Sequence, residues 1–134
     1  MFDPATKVLV VDDFKTMRKL VIGALKNCGL TNVVEADDGA TAWPLIEESI
    51  SSGEPFGLVV SDWNMPEMQG IDLLKKVRAT PDIKDLPFVL VTAEAEKKNI
   101  IQAVEAGVSN YIVKPFNAAD FKTKVEQVYA KHFG

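Results

Sequence analysis

Short apolar runs alternate with longer amphipathic stretches from one end of the chain to the other. KVLVVD, Lys7 to Asp12, is a run of branched residues that ends in acid. Met17, Leu20, Val21, Ala24, Leu25 and Cys28 then recur at three- and four-residue steps, one face of a 3.6-residue period. Gly29 follows as a helix stop. Residues 32 to 36 form a second short run, closed by Asp37, Asp38 and Gly39. A helical pattern over 40–49 contains Pro44, which lacks an N–H and crowds the preceding turn. That helix is expected to start late, near Pro44, or to kink there.

GLVVSD, Gly57 to Asp62, reads as the third strand, and Leu73, Leu74 and Val77 as the buried stripe of the helix after it. LPFVLVT, Leu86 to Thr92, reads as the fourth strand, and residues 95 to 106 as the fourth helix. NYIVKP, Asn110 to Pro115, reads as the fifth strand. Asn117 with Asp120 resembles a helix cap, and Phe121, Val125 and Val128 give the last helix its apolar stripe. Strict alternation predicts an α/β fold, a doubly wound five-stranded parallel sheet with helices on both faces and right-handed crossovers. One domain is expected to use residues 1–134, with no separate output domain.

Composition changes this picture little. The 134 residues are 47% hydrophobic and 25% charged, as in an ordinary globular domain. No apolar run is long enough to span a bilayer, and MFDPATK lacks the apolar core of a signal peptide. Cys28 is the only cysteine, so no internal disulfide forms and a cytoplasmic setting is expected. The net charge of −4 argues against a nucleic-acid binder. The acidic excess lies in the first two-thirds, which leaves the last third as the better surface for an acidic partner.

In an open parallel sheet, sites form beyond the carboxyl ends of the strands. Asp12 and Asp13 end the first strand, Asp62 the third, Thr92 the fourth and Lys114 the fifth. Like charges about 4 Å apart repel by roughly 4 kcal/mol at an effective dielectric near 20. Three carboxylates therefore need a cation, or one of them must be protonated. Mg²⁺, a hard ion that takes few carboxylates and keeps its waters, fits best. Zinc does not fit, because Cys28 and His132 are far apart in the pattern and His132 reads as a solvated residue at a frayed helix end. A carboxylate beside Mg²⁺ and Lys114 is placed to attack phosphorus, so Asp62 is the expected phosphoacceptor, with Trp63 flanking it.

VVDDF, SDWNMP, VTAEA and YIVKPF, in this order and spacing, resemble the receiver domain of two-component signalling, over essentially the whole chain. DDFKTMRKLV, VTAEAEKKNII and KPFNAADF bring the resemblance closest to the single-domain chemotaxis response regulators. The resemblance implies the flavodoxin-like strand order 2-1-3-4-5. It implies Mg²⁺ held by Asp13, Asp62 and the backbone carbonyl of Asn64, with Asp12 holding a metal-bound water. Lys114 resembles the lysine that pairs with the acceptor, Thr92 the switch hydroxyl and Tyr111 the aromatic that follows it. Lys114–Pro115 matches a cis peptide bond. Asn64 and Glu94 match positions that tune dephosphorylation.

The implied output face, made by the fourth helix, fifth strand and fifth helix, includes Ala95, Lys97, Ile100, Val104, Tyr111, Val113 and Lys124. The implied partners are a chemotaxis histidine kinase, a flagellar motor switch protein and an auxiliary phosphatase, with the protein itself a monomer. It would be a phosphoacceptor that promotes its own phosphorylation and dephosphorylation, not an enzyme acting on a separate substrate. The alternative role is a phosphorelay intermediate or phosphate sink, exchanging phosphoryl groups with a histidine phosphotransfer protein. Pro44 and the stretch SISSGEPF depart from the family pattern, as do Glu96, Lys98, Gln102 and Gln127 on the output side. Two other classes fit less well. A flavin binder wants a Gly/Ser-rich loop where Asp12-Asp13-Phe14 stands. An aspartyl phosphohydrolase wants a second acid where Asn64 stands.

Overall fold

The computed structural model describes residues 1–93 and 97–134, the side chain of Lys97 excepted. The elements run β1 (Val8–Val11), α1 (Lys15–Asn27), β2 (Val33–Ala36), α2 (Gly39–Ser51), β3 (Leu58–Asp62), α3 (Gly70–Arg78), β4 (Phe88–Thr92), α4 (Lys97–Glu105), β5 (Asn110–Val113) and α5 (Ala118–Phe133). The strands form one parallel sheet in the order β2-β1-β3-β4-β5, as expected.

Every residue of β1, β3 and β4 is buried, because helices cover both faces of the sheet. Alternate side chains therefore feed two cores. Leu9, Val59, Phe88 and Leu90 meet Ile46, Leu74 and Val77 from α2 and α3. Val10, Leu58, Val60 and Val91 meet Val21 and Leu25 of α1 and Phe121 and Val125 of α5. The α1 stripe is narrower than its spacing indicates: Leu20 is 57% exposed and lines a groove with Met17, Pro115 and Phe116. Gly29 stops α1 at φ +81°, where its own N–H and that of Leu30 reach the carbonyls of Lys26 and Leu25.

Two expectations are corrected. Helix α2 does not wait for Pro44; it starts at Gly39. Asp38 caps it through the Ala40 N–H at 2.9 Å, and Thr41 Oγ1 accepts the Asp38 N–H at 3.1 Å. This reciprocal cap secures the first turn ahead of Pro44. His132 is not loose either. It is half-buried within α5, with Nε2 2.7 Å from Ser109 Oγ.

The Ser109 hydroxyl already accepts from the Phe88 N–H at 3.0 Å and from Arg78 at 3.4 Å. Its proton is therefore left to donate to His132, which must be neutral at Nε2. Burial lowers the His132 pKa, and Arg78 and Lys131 lower it further, against a smaller pull from Asp85. The folded state thus binds this proton less well than the unfolded chain. The stabilisation is complete above the unfolded value near 6.5 and is lost as pH falls through the lower folded value. Relative to His132→Gln, the protein should lose stability as pH falls below the ordinary histidine value of about 6.5. Urea midpoints for the two proteins across that range check this, and parallel curves would disprove it.

Candidate functional site

Sheet register sets the site. Val11 pairs with Ser61, Asp62 with Val91 and Thr92 with Val113, so the residues ending β1, β3, β4 and β5 lie side by side. Asp12, Asp13 and Asp62 each place a carboxylate oxygen within 4.8 Å of the others. Lys114 Nζ lies 2.8 Å from Asp62 Oδ1 and 3.8 Å from Asp12 Oδ2. Its amide donates to the Thr92 carbonyl at 2.8 Å, which fixes the lysine at the sheet edge. The Lys114–Pro115 peptide bond is cis.

One ammonium thus faces three carboxylates. Burial pushes the Asp12 carboxyl up to about 6; the Phe14 amide and Lys114 oppose this, and the charges of Asp62 and Asp13 add to it. Burial also raises Asp62, against the hydrogen bond and charge of Lys114. Asp13 Oδ1 is buried with no hydrogen-bond partner among the described residues. An all-oxygen cluster with an excess of negative charge and an orphaned carboxylate oxygen fits a small hard cation such as Mg²⁺.

The structure gathers Asp12, Asp13, Asp62, Thr92 and Lys114 at this edge, with Thr92 buried. Asn64 is exposed in the β3–α3 loop. Trp63 packs into the α2–α3 core rather than standing free beside the site. Tyr111 is half-buried on β5, with Lys124 Nζ 4.9 Å from its ring centre. Ile100 and Val113 are half-buried and Val104 is exposed. Glu94, Ala95 and the Lys97 side chain lie outside the described residues.

Two supporting residues escape a reading of the sequence. Gly70 opens α3 directly beneath Asp62: a Cβ there would collide with the Asp62 carbonyl oxygen. Asp38, read from the sequence only as a turn former, is buried, and it accepts the N–H groups of Met68 at 2.9 Å and Glu67 at 3.0 Å in the β3–α3 loop. Burial raises its pKa, but the amides of Ala40, Glu67 and Met68 outweigh that and hold it below the usual carboxylate range. The Asp38-x-x-Thr41 spacing signalled the cap; nothing local signalled the contacts some thirty residues away.

A five-stranded parallel sheet with three aspartates and a lysine gathered at its carboxyl edge is the arrangement of a response regulator receiver. The chain belongs to that family, whose receiver-domain model matches residues 8–126. Among its relatives, chemotaxis protein CheY-3 of Vibrio cholerae serotype O1 is 50% identical over 125 residues, covering 93% of this chain and 92% of that protein. Chemotaxis protein CheY of Pseudomonas aeruginosa is also 50% identical over 125 residues, covering 93% and 97%. The solved structure of Vibrio cholerae chemotaxis protein CheY4 superimposes with a TM-score of 0.79 at 30% identity, covering 92% of this chain and 98% of that one. The chain is thus CheY-like over nearly its whole length. None of its described helices is long and apolar enough to cross a membrane.

Proposed function

We propose that the protein is a cytoplasmic chemotaxis response regulator that is phosphorylated on Asp62 and then binds the flagellar motor switch. The observation that carries this reading is the pairing of Asp62 with Lys114 at 2.8 Å inside a cluster of three acids in a receiver chain. Asp13, Asp62 and the Asn64 carbonyl would hold Mg²⁺, with Asp12 orienting a bound water. When bound, the ion offsets the repulsion between the acceptor and the incoming phosphoryl oxygens.

A carboxylate oxygen of Asp62 attacks phosphorus on the phosphohistidine of a kinase. The P–N bond breaks, and the departing imidazole keeps the electron pair. Lys114 shifts from the carboxylate to a phosphoryl oxygen. The new group brings roughly −1.5 to −2 charge and three acceptor oxygens. The Thr92 hydroxyl turns toward one of them, and Tyr111 moves inward into the space released. This shifts the population between two packings of the α4–β5–α5 face, where Val104, Tyr111 and Lys124 offer apolar contact and positive charge to an amphipathic acidic segment. Asn64, exposed in the loop after Asp62, would meet the water that later removes the phosphoryl group.

Binding of an N-terminal flagellar switch peptide, with and without beryllofluoride and Mg²⁺, tests the proposal. The activated wild type should bind at least about fivefold tighter, within the usual range of such couplings. Thr92→Ala should still take up the phosphoryl group yet lose most of that gain. Equal binding by the activated wild type and Thr92→Ala would eliminate the switch. Absence of peptide binding with the site demonstrably loaded would redirect the role to phosphotransfer.

A further inference from the structure

The β3–α3 loop is fixed at two ends. At one, the Trp63 N–H donates to the Val91 carbonyl and the Gly70 N–H to the Trp63 carbonyl, each at 2.9 Å. At the other, both carboxylate oxygens of Asp38 accept loop amides, Oδ2 from Glu67 and Oδ1 from Met68. Gly39 closes the same contact: a Cβ there would lie 2.6 Å from the Met68 carbonyl oxygen and 2.9 Å from its Cβ. Between these points lie only Asn64, Met65 and Pro66, and Met65 is itself buried. The position of the Asn64 carbonyl is therefore set by α2, an element that contributes nothing directly to the acidic cluster.

We infer that Asp38 is a positioning residue for the metal site, holding the Asn64 carbonyl at the geometry the cation needs through its hydrogen bonds to Glu67 and Met68. The inference rests on the Mg²⁺ reading above. A carboxylate suits this task because one planar group accepts from the helix and the loop at once. It binds the Ala40 N–H at 2.9 Å with the same Oδ1 that takes Met68, so the start of α2 and the loop move as one body. Residues that orient the ligands of a metal typically change its affinity by about 10- to 100-fold when removed.

The helix cap and the loop clamp separate in Asp38→Ser. A serine hydroxyl caps α2 well but is one bond too short, and one oxygen too few, to reach both loop amides. In the metal-free protein, amide exchange at Glu67 and Met68 should quicken while exchange in α2 stays slow. Mg²⁺ titration followed by Trp63 emission, with Trp43 present in every variant, should show affinity weakened about tenfold. Asp38→Asn keeps the acceptor for Ala40 and Met68 and loses only Glu67, so it should fall between the two and serves if the serine variant folds poorly.

Wild-type Mg²⁺ affinity in Asp38→Ser despite fast exchange at Glu67 and Met68 would overturn the inference alone. A wild type with no Mg²⁺ response, matching an Asp13→Asn control, would overturn the metal-site reading and the inference with it.

Discussion

Asp62→Asn should abolish phosphorylation completely while leaving the protein folded. With a small phosphoramidate donor and Mg²⁺, the wild type should gain the mass of one phosphoryl group and the variant none. The carboxamide has the same shape, but its neutral oxygen is a poor nucleophile toward phosphorus. The neighbouring acids are not ready substitutes. Asp12 is only 2% exposed and is engaged by the Phe14 amide at 2.9 Å. The fold should persist because the ionised Asp62 is itself disfavoured: burial raises its pKa in spite of Lys114. Removing that charge relieves repulsion with Asp12 and Asp13, and Lys114 keeps Asp12 at 3.8 Å. In EDTA the variant should melt no lower than the wild type. A variant that still gained the phosphoryl mass would move the acceptor to Asp12 or Asp13.

Mg²⁺ should raise the melting temperature at neutral pH by on the order of 10 °C when it is present at about a hundredfold over its Kd, since binding to the folded state alone then contributes about 2.7 kcal/mol. The same increment should fall to roughly half at about pH 5, because a proton on Asp12 then weakens the site about tenfold. The sign follows from Asp12, whose folded pKa of about 6 exceeds its ordinary value of 3.8. The folded protein binds this proton more tightly than the unfolded chain does. Without metal, stability from this group is complete below the ordinary value and is lost as pH rises through about 6, a change of roughly 2–3 kcal/mol. Mg²⁺ acts in the opposite sense, replacing the lost proton with a stronger positive charge. Asp13→Asn should remove most of the increment, since Asp13 offers the buried oxygen with no hydrogen-bond partner among the described residues. Thermal melts in EDTA and in Mg²⁺ at both pH values check this. Equal increments at the two pH values would show that the acidic cluster does not bind the ion.

Much of the molecule was legible before any coordinates. Continuous apolar runs ending in Asp12, Asp62, Thr92 and Lys114 signalled buried parallel strands with polar groups at one edge, because a period of two and a period of 3.6 cannot be satisfied by the same residues. Parallel pairing then forces those ends together, and the observed register does so. Local chemistry was equally readable at Gly29, where a helix stop needs a positive φ, and at Asn117, whose side chain accepts the Asp120 N–H at 2.8 Å.

Where structure departs from sequence pattern, the deciding group lies outside the segment concerned. Pro44 alone argues for a late helix start, but Asp38 anchors the first turn before it. His132 sits near a helix end, where solvent exposure is the default, but the Ser109 hydroxyl just before β5 holds it. Leu20 fits the helical period yet is exposed, because only part of that helix face is covered. The cap of α2 lies within six residues of Pro44 and is local, whereas His132 depends on Ser109, 23 residues away, and a sequence window holds no information on the direction or distance of such a group. The sequence by itself therefore determined the order of elements, the chemistry of the carboxyl edge and the family. Tertiary structure alone decided which acids share Lys114, which oxygen of Asp13 has no partner among the described residues and that Asp38 clamps the loop beside Asp62. Those depend on distances of a few ångströms between separate elements, set by how the two cores pack.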